Sequence, residues 1–215
     1  KSWWAIQPVT DPEIPSHGEN WGRNEIDRFV ARKLDQAKLS PAPAAEPREL
    51  VRRVYFDLHG LPPTPKQVET FLTAHQKNSD EAYEKLIEEL LASPRYGERW
   101  ATHWLDVARY ADSDGYRADD FRPGAHLYRD YVIKSLNTDK PYDQFVREQI
   151  AGDEIDPNST ENKIAVGFLR MGPWEQTGMS VAAVTRQFFL DDVTDSVGQV
   201  FLGHALQCAR CHDHK

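Results

Sequence analysis

Apolar residues along this chain recur mostly with the spacing of a helix. Ile26, Phe29, Val30 and Leu34 follow i, i+3, i+4, i+8, and Tyr83, Leu86, Ile87, Leu90 and Leu91 follow i, i+3, i+4, i+7, i+8. Thr64 followed by Pro65 supplies an N-cap and a first-turn proline for a helix carrying Val68, Phe71 and Leu72. Further helices are predicted over 47–58, 95–111, 125–137, 141–151, 161–171 and 181–207. The breaks fall at Gly60 to Pro65, Ser93-Pro94, Gly115, Pro123-Gly124, Lys140-Pro141, Pro157 and Gly172-Pro173. No period-two alternation is sustained, so no strand is expected. Pro8, Pro12, Pro15 and Gly18 make the first 20 residues an extended N-terminal arm, with Trp3 and Trp4 expected to pack on the helical body, because exposed paired indoles are costly in water. The expected architecture is all-α: an arm over 1–20, then one irregular multi-helix domain over 21–215 that ends in a Cys-x-x-Cys-His motif.

Composition narrows the function classes. At 40% hydrophobic and 11% aromatic residues, the 215-residue chain is too apolar for disorder. Its 26 basic and 34 acidic residues give a net charge of −8, which argues against a phosphate-backbone binder; nucleic acid is not an expected partner. No apolar run approaches the roughly 20 residues that span a bilayer, so no membrane span is expected. The chain starts at Lys1 and stops shortly after its densest motif, so a piece of a longer protein is expected.

That motif uses both cysteines: Cys208-Ala209-Arg210-Cys211-His212 is the CxxCH pattern of covalent c-type haem attachment. Two thiols three positions apart can each form a thioether to one porphyrin edge, and the next residue presents its imidazole to the iron. Haem c is therefore the leading cofactor, with His212 as proximal ligand. Zinc is the alternative, held by Cys208, Cys211 and His214 with His212 or His204; a redox dithiol or local disulfide is a third. A distal haem ligand must come from upstream. His103, among Trp100, Trp104 and Val107, is a candidate expected to face an apolar pocket, and His204 shares a helix face with Val193, Val197, Val200 and Phe201. Met171 and Met179 are further candidates, although core packing is the default for methionine.

Two acidic groups add alternatives. Asp106, Asp112, Asp114, Asp119 and Asp120 surround the end of the Trp-rich helix, and Asp112-Ser113-Asp114-Gly115 resembles the start of a calcium loop without its remaining ligands. Helix termination at the glycine turn is the simpler account; a metal, a sugar, or an acid and base pair among Asp106, Asp112 and Asp114 in a carbohydrate-active enzyme stays open. Asp191, Asp192 and Asp195 precede the cysteines, as solvated charge or as a cation or substrate contact.

The segments Trp4 to Val9, Arg23 to Leu34 (RNEIDRFVARKL), Val51 to Val68 (VRRVYFDLHGLPPTPKQV), Ser93 to Gly115 (SPRYGERWATHWLDVARYADSDG), Tyr128 to Asp153 and Cys208 to Lys215 (CARCHDHK) resemble the planctomycete cytochrome-associated family known as domain of unknown function 1549. The resemblance covers nearly the whole chain. It implies thioether attachment at Cys208 and Cys211, proximal ligation by His212, and periplasmic or extracellular export. It further implies an upstream cytochrome c domain or other redox partner protein, and a redox step linked to polysaccharide use. The leading expectation is an electron-transfer or oxidoreductase module; a zinc-stabilised binding module built on Cys208, Cys211 and His214, and a carbohydrate-active enzyme using Asp106, Asp112 and Asp114, are the alternatives. The resemblance leaves His214 able to orient a haem propionate, act as acid or base, or bind another metal.

Overall fold

The computed structural model describes residues 7–18, 21–175 and 181–212. Among the described residues the architecture is all-helical, at 64% helix, with no strand; one isolated antiparallel bridge joins Ser113 and Phe121. The chain divides into two compact units, Lys1–Glu46 and Pro47–Lys215. Trp3, Trp4, Met179 and His214 lie outside the described residues.

In the first unit, residues 7–15 form neither helix nor strand. Helix α1 (Glu25–Gln36) starts where Asn24 accepts from the Asp27 amide and the Asp27 carboxylate accepts from the Asn24 amide, a reciprocal capping box. Gly18, at φ +69°, lies against Ala31, where a side chain would clash.

The second unit carries two apolar clusters. Helices α2 (Pro47–His59), α3 (Pro65–Lys77) and α4 (Ser79–Leu91) enclose Val51, Val54, Tyr55, Phe71, Ala82, Leu86 and Leu90. Thr64 caps α3 as its sequence predicts, accepting from the Gln67 amide with Pro65 in the first turn. Helix α5 (Pro94–Val107) packs on α2 and α4 and on α6 (Ala125–Asn137). It approaches α6 so closely at Gly97 that a Cβ there would lie 2.5 Å from the Asn137 carboxamide, which instead accepts from the Gly97 amide.

The larger cluster lies among α5, α6, α7 (Tyr142–Ile155), α8 (Thr160–Ala165), the 3-10 turn Val166–Arg170 and α9 (Ala182–Leu202). Tyr128, Val132 and Phe168 are its most enclosed large side chains, with the Trp104 and Phe201 rings tilted against Phe168. Two of the buried polar side chains, Gln149 and Glu148, are paired. Trp104 Nε1 and the Tyr128 hydroxyl both donate to Gln149 Oε1, at 2.9 and 2.6 Å, and Gln149 Nε2 donates to the Phe145 carbonyl. Glu148 accepts from Tyr131, Lys140 and Gln144. Burial opposes its charge, but these donors hold its pKa below the ordinary value.

Several predicted boundaries move. The helix expected over 95–111 stops at Val107, because Arg109 takes a left-handed conformation (φ 60°) and sends its guanidinium to Asp192 and Ser196 of α9. The helix expected over 181–207 stops at Leu202, where Gly203 turns left-handed (φ 65°) and the His204 amide returns to the Gly198 carbonyl. The segment 161–171 is a short α-helix followed by a 3-10 turn, and α7 continues to Ile155 rather than 151.

Candidate functional site

Gly203 reverses the chain, and residues 206–210 run back along α9. Leu206 lies on Gly198, where a Cβ would be 2.7 Å from the leucine side chain. Asp195 Oδ1 accepts both the Leu206 amide at 2.7 Å and the Gln207 amide at 2.8 Å, while its Oδ2 accepts from Gln199. Arg210 Nε sits 3.0 Å from Asp191 Oδ2, and its guanidinium lies 5.3 Å from the centre of the Phe188 ring. These contacts hold a 3-10 turn at Gln207–Arg210. Leu206, Gln207 and Arg210 thereby supply the contacts to α9, while Cys208 and Cys211 are exposed, unpaired thiols and His212 is exposed beside them.

The acidic group on α9 is therefore a frame: Asp195 caps the turn, Asp191 pairs with Arg210, and Asp192 pairs with Arg109 at 2.5 Å. Beside the turn lies a cavity of about 260 Å³ lined by Trp174, Phe188, Phe189, Asp191, Asp195 and Arg210, among others. It falls below the roughly 300–1,000 Å³ of pockets that enclose a whole small-molecule ligand.

The other candidates stand apart. His103 is exposed on α5, edge-on to Trp100 at 5.5 Å; with Trp100 and Val107 also exposed, the apolar pocket expected around it does not form. His204 is exposed on the reversing loop, because α9 ends before it. Met171 is buried in the larger core cluster. Among the described residues no three His, Cys, Asp or Glu side chains come together to hold a metal ion; His214, a member of the expected zinc set, lies outside them.

The loop 112–122 closes on itself through the Asp114 amide to the Asp120 carbonyl and the Arg122 amide to the Asp112 carbonyl. Asp106, Asp112, Asp119 and Asp120 are exposed. Asp112 accepts from Tyr110, whose hydroxyl is pushed up to about 12 by burial and by that hydrogen bond. Asp114 is buried, with Arg122 Nε at 2.5 Å and Arg170 Nη2 at 4.0 Å.

The capping role of Asp195 and the inward role of Arg210 are what the sequence reading missed. The glycine at 203 is the signal that could have revealed them, since a left-handed stop there folds the next residues back onto the helix.

No curated protein and no solved structure matches this chain. The family model described as PSCyt2, a protein of unknown function (DUF1549), matches residues 25–215. With nearly all of its length inside that match, the chain belongs to the DUF1549 family.

Proposed function

We propose that the chain is an exported module that carries one covalently attached c-type haem at Cys208, Cys211 and His212 and serves in electron transfer. The observation that supports it is the docked turn. Both thiols of the CxxCH segment are exposed and unpaired, while Asp195 and Asp191 fix the backbone and the intervening arginine. Thiols meant to bond a group outside the fold need such a placement; structural cysteines are usually buried.

The residues fit the group as an attachment face rather than a closed pocket. Cys208 and Cys211 would hold it by thioethers and His212 would face its iron, whereas the neighbouring cavity of about 260 Å³ covers at most an edge. When bound, the haem would supply one-electron chemistry. This chain's residues would hold and orient the turn and set the local charge through Asp191, Asp195 and Arg210. With a net charge of −8, docking to a basic redox partner would be steered electrostatically and weakened by salt.

Expression in the periplasm of a host with haem-maturation enzymes tests the reading. The intact mass is expected to rise by one haem, with the gain lost in the Cys208→Ala, Cys211→Ala double variant. An unmodified mass in the parent chain contradicts it.

A further inference from the structure

A second cavity, of about 440 Å³, lies between the start of α6, helix α8 and the 3-10 turn that follows it. Three cationic residues line it, Arg122, Lys163 and Arg170, against the single carboxylate of Asp114, in a chain whose net charge is −8. Arg122 is committed: its Nε faces Asp114, and Nη1 and Nη2 donate to the carbonyls of Met171 and Gly172 at 3.0 and 2.6 Å.

Arg170 is not matched in this way. Its Nη2 is 4.0 Å from Asp114 Oδ1, beyond hydrogen-bond reach, and its buried Nη1 has no acceptor. Stacking on Trp174 at 4.3 Å and Phe189 at 5.4 Å limits the guanidinium's freedom to move, while 43% of the side chain remains exposed. Burial and the adjacent Arg122 charge both hold its pKa below the ordinary arginine value. A bound anion would relieve that repulsion. Lys163 adds an exposed ammonium at the rim.

The remaining walls are apolar. Phe121 and Leu127 are 70% and 46% exposed, and Ile164 and Met171 complete the surface. Cationic side chains beside apolar walls match the carboxylate of an acid with a ring or aliphatic body better than a fully hydrated inorganic anion. We propose that this cavity binds the carboxylate of a small organic acid, anchored by Arg170 and Lys163, with the acid's apolar body on Phe121, Leu127 and Ile164.

Benzoate titrated into the full chain tests this, followed by calorimetry and by tryptophan fluorescence, to which Trp174, stacked on the anchoring arginine, contributes. Benzoate is expected to bind saturably, with benzamide, its uncharged analogue, about tenfold weaker or worse. Arg170→Gln and Lys163→Gln are each expected to weaken benzoate severalfold, and added salt to weaken it further. Lys163 is exposed, so its variant carries the test if Arg170→Gln fails to fold. Absence of saturable benzoate binding, equal binding of benzamide, tighter binding of inorganic phosphate, or undiminished affinity in Lys163→Gln would each overturn the proposal.

Discussion

Replacing Asp195 tests the frame that presents the two thiols. In Asp195→Ala the amides of Leu206 and Gln207 lose their shared carboxylate acceptor, at 2.7 and 2.8 Å. Hydrogen bonds to a charged group contribute about 1.5–3 kcal/mol each, and loss of a helix cap costs about 0.5–2 kcal/mol. Gln207 is exposed and water can replace part of the interaction, so the pair together should account for about 2 kcal/mol, nearer the capping figure. At about 1.4 kcal/mol per tenfold, protection from amide exchange at residues 206 and 207 should fall roughly 30-fold. Asp195→Asn keeps the acceptor and loses the charge. Neutral hydrogen bonds are about half as strong, so the loss should be about 1 kcal/mol and roughly fivefold. Residue-resolved hydrogen exchange reads both values, with the core amide of Val132 as reference. Unchanged exchange at 206 and 207 would refute the capping role, and so would an equal loss at Val132, since that reports global rather than local opening.

Other variants probe the core and its charges. Phe168→Ala empties a site 2% exposed and should cost about 3–5 kcal/mol in denaturant unfolding; a loss under about 1 kcal/mol contradicts the packing described. Gly152→Ala should gain about 1 kcal/mol from helix propensity alone, yet a Cβ there falls 2.7 Å from the Asn162 carbonyl oxygen, so a net loss of about 1–3 kcal/mol is expected from the same measurement. The lysine partners of Glu148 and Glu161 hold both pKa values below ordinary, so their stabilisation is present above about pH 4.3 and lost as pH falls through the lower folded values. The stability gap between the parent and Glu148→Gln should therefore be widest at neutral pH and narrow below about pH 4; a gap that widens in acid contradicts the pairing.

Local signals carried much of the fold. The Thr64-Pro65 cap places α3, and the sequence spacing gives α6 its observed limits of 125 and 137. The ends of α5 and α9 were less legible because distant partners set them. Arg109 leaves the helix to reach residues 83 and 87 positions away, and the periodic apolar residues after Leu202 continue past a glycine that reverses the chain. The site divides in the same way. Cys208, Cys211 and His212 stand out by spacing alone, while the work of Asp191 and Asp195 becomes visible only once 206–210 lie against α9. His103 misled because, of the apolar residues expected around it, Trp104 turns into the core while Trp100 and Val107 stay exposed, so no pocket closes on the histidine.

The proposed haem would be carried on the exposed thiols of Cys208 and Cys211. The most direct measurement is a visible absorption spectrum of the exported protein, oxidised and then dithionite-reduced, with a pyridine haemochrome to count thioether links. A Soret band, sharp reduced bands and the signature of two thioethers are the predicted result. A spectrum with no absorption beyond the aromatic residues contradicts that attachment.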